Sequence, residues 1–168
     1  MNAVIGTLGI TAAGTVINSI TTLSTNVFTL MGYIKLSPHI AQSDIMKVLL
    51  KSDIETTIRL LQSIISEIPQ YYNNSESVVI ALKNVQEIIA NIEEELKDIH
   101  NKIVYNSNLY LMSNIRSYDF KTNLDSIEVK VSILDRRRDN LFKTLEVFKH
   151  CERKTKISDT QLMISYEP

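Results

Sequence analysis

A chain of 168 residues, 44% hydrophobic and 22% charged, is the size of one globular domain and can bury a real core. Its net charge of -1 gives no overall pull toward nucleic acid or an acidic membrane. With 4 glycines, 3 prolines and a single cysteine, Cys151, long elements are favoured over many short strands, an internal disulfide or CxxC metal knuckle is excluded, and a reducing compartment is expected.

The opening segment, residues 3–34, carries no charged side chain; the first is Lys35. On a helical net one face collects Ile5, Leu8, Val16, Ile20, Leu23 and Val27, and another collects Thr15, Asn18, Thr22, Thr25 and Thr29. This predicts an amphipathic helix whose polar face is uncharged. Its length, roughly 47 Å, exceeds the ~30 Å hydrocarbon core of a bilayer. Three readings stay open: a buried or oligomer-facing helix of a bundle, a transmembrane span, or a helix that enters membranes after a trigger. Small residues such as Gly6, Gly9, Ala13 and Gly14 permit close helix approach. No basic residue precedes the apolar run, so a secretory signal is not expected.

After the Ser37-Pro38 break, a second helix is predicted over 43–68, with the row Leu50, Ile54, Thr57, Leu61, Ile64, Ile68 ending at Pro69. The third, over 76–104, carries an unbroken heptad seam of Val78, Leu82, Val85, Ile89, Ile92, Leu96, Ile99 and Ile103. The fourth, over 119–150, carries Phe120, Leu124, Ile127, Val131, Leu134, Arg138, Leu141, Leu145 and Phe148. Flanking apolar residues such as Ile58, Ile65, Ile88 and Phe142 widen each stripe, which favours a multi-helix bundle over an extended coiled coil. Residues 105–118 are expected to hold a short helix or an extended corner. Beyond His150 a polar linker leads to Leu162, Ile164 and Tyr166 at period two, which predicts an extended tail, 151–168, suited to docking. The expected organisation is thus an all-α, four-helix bundle domain, 1–150, with that tail appended.

The uncharged Val-Ile-Gly-Thr-Leu-Gly-Ile-Thr-Ala-Ala-Gly run at 4–14, followed by Lys51-Ser52-Asp53-Ile54 and Ile58-Arg59-Leu60-Leu61, resembles the HeLo family of fungal cell-death domains and, more distantly, the four-helix domain of mixed-lineage kinase-like proteins. The resemblance covers about residues 3–65. It implies a first helix that drives oligomerisation and membrane permeabilisation, with Val4 to Leu30 as the membrane-active surface. The charges and early aromatic residues usual in that family's first helix are missing here, and no amyloid motif follows.

Catalytic chemistry finds little to stand on. Glu146 and His150 lie one helical turn apart, but the Glu-x-x-His pattern of bundle metal sites is absent, since Lys97 precedes His100 at that spacing. Cys151 has cationic neighbours but no evident base. There is no phosphate-cradling glycine loop and no nucleophile elbow. Arg138 is the anomaly: a charge in a seam otherwise filled by Leu and Phe must be paired or snorkel outward. Pairing with one of the acidic residues of the third helix, Glu87, Glu93, Glu94, Glu95 or Asp98, with Glu93 and Glu94 put first, would set helix register; a partner contact is the alternative. Residues 130–156 hold nine basic and four acidic side chains, without the aromatic interleaving that base stacking needs.

These residues point to a non-enzymatic helical interaction or assembly protein, with no cofactor and no metal. It would be intracellular, acting on a protein partner or on itself as a homo-oligomer, for instance as a structural subunit of a virion. The contact surfaces would be the first helix and the tail residues Leu162, Ile164 and Tyr166. No nucleic-acid partner is expected. The alternative is a HeLo-like membrane-permeabilising domain, membrane-associated through residues 3–34.

Overall fold

Every residue of the row Val78, Leu82, Val85, Ile89, Ile92, Leu96, Ile99 and Ile103 is buried, and the helix that carries it is the axis around which the others pack. A computed structural model of the chain describes residues 3–37, 44–69, 72, 75–107 and 120–164, with side chains described for 13–37, 45–69, 72, 75–107 and 120–150. The elements are α1 (Ala3–Leu36), α2 (Asp44–Lys51), α3 (Ile54–Ser66), α4 (Glu76–Ser107) and α5 (Lys121–Ile164). No strand occurs among the described residues. The all-α architecture is as expected, with four long helical segments packed together and the second of them broken in two.

Cross-helix contacts give the directions. Ser19 meets Gln86, Asn26 meets Glu93 and Tyr33 meets His100, so α1 and α4 run parallel. Each step between these contacts is seven residues on both helices. Glu95 meets Ser126 and Lys130 while Glu87 meets Arg137, so α4 and α5 run antiparallel. The α3 segment lies antiparallel to α1, through Lys35–Glu55 and the Arg59 guanidinium 4.9 Å from the Phe28 ring centre. It runs parallel to α5 through Thr57–Asp135. Around the bundle the order is therefore α1, α4, α5 and α2–α3. One continuous core of aliphatic side chains fills the middle, and burying each such side chain contributes about 1.5–3 kcal/mol.

Three expectations need correction. The helix predicted over 43–68 breaks at Ser52-Asp53, where Asp53 adopts a left-handed backbone with φ 48°. The break changes which side chains face inward: Ile45 and Leu49 are buried, whereas Leu50, assigned to the seam from its spacing, is 65% exposed. The tail predicted to be extended instead continues α5 as helix to Ile164. No glycine or proline lies between 121 and 164, so nothing in that stretch breaks the backbone ladder. Leu162 and Ile164 thus sit on a helix; Tyr166 lies outside the described residues, as does most of the 105–118 corner. Third, Gly14 is not a point of close helix approach, because a Cβ built there meets nothing within 4 Å.

Candidate interaction surface

The first helix divides its side chains sharply. Ala13, Val16, Ile20, Val27, Met31 and Ile34 are buried, with Leu23 half-buried beside them. Val16, Ile20 and Val27, expected as an interface or membrane-active face, are therefore occupied within the chain's own core. Ile5 and Leu8 lie outside the described side chains. Ser24 is fully buried among them and donates to the Ile20 carbonyl, which satisfies it without a partner helix.

The opposite face is solvent-exposed: Thr15, Asn18, Thr22, Thr25 and Thr29 recur at steps of three and four. The hydroxyls of Thr21, Thr22, Thr25 and Thr29 each donate to the carbonyl four residues earlier. Each hydroxyl is thereby tied to its own helix, so the row is less polar than its composition implies. Among the described residues no helix is long and apolar enough to cross a membrane.

Arg138 does not reach α4. Its guanidinium is held on its own helix by Asp135 at 2.9 Å and Asp139 at 2.9 Å, and Asp135 also accepts from Thr57 of α3. Two other basic residues of α5 make the inter-helix pairs instead. Arg137 donates to Glu87 and to the Asn84 carbonyl. Lys130 donates to Glu95 and to the Asn91 carbonyl. Glu93 is buried but faces α1, accepting from Asn26 at 3.0 Å and pairing with Lys97 at 2.7 Å; Glu94 is exposed. Replacing Asn26 with alanine leaves the buried Glu93 one donor short and is expected to cost about 1–3 kcal/mol in a urea melt.

The best-formed polar cluster gathers on Glu95 of α4, whose cationic partner is Lys130 rather than Arg138. Glu95 accepts from Lys130 at 2.6 Å, Ser126 at 2.7 Å and Asn123 at 2.8 Å, and Asn123 in turn accepts from Lys102. Burial raises the Glu95 pKa, but the three hydrogen bonds and the Lys130 charge together outweigh it and hold the carboxyl below its ordinary 4.5. A carboxyl whose pKa is lower in the folded chain stabilises the fold above its unfolded pKa and loses that contribution as pH falls through the folded one. Acid melts are therefore expected to show a steeper loss of stability below pH ~4.5 in the native chain than in Glu95→Gln. A matching slope in both would show that the cluster contributes nothing.

An open cleft of about 340 Å³ lies between the end of α3 and α5, lined by Ile64, Ile68, Tyr72, Phe142 and Leu145 together with Glu67, Glu146, Lys149 and His150. Among the described residues no group of three or more His, Cys, Asp or Glu side chains could hold a metal ion. The chain matches no protein-family model, and comparison with curated proteins and with solved structures finds no match.

Proposed function

We propose that this chain is a non-enzymatic helical assembly protein that joins copies of itself, or a partner helix, through the outer face of α1. The observation that carries this reading is the exposed row Thr15, Asn18, Thr22, Thr25 and Thr29 on a helix with no charged side chain before Lys35. Exposed helix faces in water normally carry Lys, Glu or Arg, which keep copies apart. Here side chains are short and the hydroxyls of Thr22, Thr25 and Thr29 are already bonded, so packing a second helix against them desolvates no charge and immobilises little rotamer freedom. Rows at steps of three and four also suit knobs-into-holes packing, and heptad-patterned contact would extend outward the seven-residue steps between α1 and α4. An intracellular, assembly-associated location accords with the lone cysteine.

The membrane-permeabilising alternative would require α1 to leave the core, because Val16, Ile20 and Val27 are the side chains it would insert. The test separates the two. Full-length chain added to dye-loaded anionic vesicles is expected to leave them intact while remaining oligomeric. Dye release that Leu8→Glu abolishes would replace this reading with the membrane one.

A further inference from the structure

We propose that α2 is a hinged cap on the core, swinging about Ser52-Asp53 between the bent arrangement seen here and a straight helix continuous with α3. Asp53 is the one non-glycine residue among those described with a positive φ, at 48°, a conformation that costs an L-residue free energy. Its carboxyl makes no capping hydrogen bond to the start of α3, so the usual compensation for a break there is missing. Straightening would relieve both features.

The two arrangements present different faces. In the bent form Ile45 and Leu49 are buried while Leu50 is 65% exposed. At 3.6 residues per turn, a continuous helix would place Lys47 and Leu50 on the same stripe as Ile54, Ile58 and Leu61, and would turn Ile45 and Leu49 outward. The bent form keeps Ile45 and Leu49 in the core and keeps Lys47 off that stripe, which is why it is the form observed. Beyond the buried Ile45 and Leu49, α2 packs mainly on α5, and its Lys51–Glu128 pair, 3.5 Å long and exposed, is a weak tie. Swinging uncovers two aliphatic side chains and the end of the core without unfolding α3, α4 or α5, which makes α2 a sub-globular unit of low stability.

Thiol labelling tests this on the full chain with Cys151→Ser. A cysteine at Leu49 reacts only when α2 swings out; one at Leu61, fully buried in α3, reacts only when the bundle opens. Leu49→Cys is expected to label at least tenfold faster than Leu61→Cys. Adding Asp53→Ala, which removes the residue that tolerates the left-handed bend, is expected to raise the Leu49→Cys rate about 3- to 10-fold while leaving the Leu61→Cys rate and the helicity unchanged. Adding Asp53→Gly, which accepts the bend without strain, is expected to lower it. Equal labelling at the two sites, or an Asp53→Ala effect shared by both, overturns the hinge. So does failure of Asp53→Ala to fold, which would make the bend obligatory. Should Leu49→Cys itself fail to fold, Ile45→Cys takes its place with the same expected ratios.

Discussion

Ile89→Ala is expected to lower the free energy of unfolding by about 2–5 kcal/mol, the largest stability effect of any substitution considered. Ile89 is fully buried on α4, the helix that packs against both α1 and α5. Removing three carbons there forfeits their transfer free energy and leaves a cavity between rigid neighbours that collapse only in part. At about 2–4 °C per kcal/mol for a chain of this size, the melting temperature is expected to fall by roughly 4–20 °C. Val129→Ala is the control: Val129 is 60% exposed on α5, and its truncation is expected to stay within about 0.5 kcal/mol. Comparable losses at the two positions would mean that α4 is not the axis of the core.

Thr22→Glu is expected to weaken self-association at least ~100-fold while leaving the monomer's melting temperature unchanged, because like charges brought together at an interface cost several kcal/mol. Thr22 is exposed, and its hydroxyl donates only to the Asn18 carbonyl of its own helix. Within one copy the substitution therefore disturbs no tertiary contact. Between copies in a two-fold arrangement it appears on both faces at once. Ser63→Glu, on an exposed part of α3, places the same charge away from the row and is expected to leave the assembly intact. Loss of assembly with both variants would point to general repulsion rather than to the α1 face.

Much of the bundle was legible because its signal is repetitive. The apolar row from Val78 to Ile103 has no competing breaker, and each member is buried. The break at Ser52-Asp53 was not legible, because the Leu50–Ile68 spacing continues through it and neither glycine nor proline marks it. Burial of Ile45 and Leu49 decides that segment, and tertiary packing of this kind overrides local spacing. The alternation of Leu162, Ile164 and Tyr166 predicts an extended tail, but its first two members lie in a stretch where an uninterrupted helix prevails.

Arg138 misled differently. The sequence Asp135-Arg-Arg-Arg-Asp139 already contained its partners, one turn back and one residue on. A guanidinium satisfied on its own helix avoids the cost of desolvation in the seam. The Glu95 cluster depends on how α4 and α5 slide along each other, and a single sequence does not specify that offset. The outer face of α1 was legible as an uncharged row; that its hydroxyls bond their own helix depends on rotamers that spacing does not specify.

The measurement that bears most directly on this account is the mass of the native chain in solution, by light scattering across a range of concentrations. The account predicts a species at a multiple of 19.1 kDa that shifts toward the monomer in Thr22→Glu. A native chain that stays at 19.1 kDa at every concentration would contradict assembly through its own α1 face.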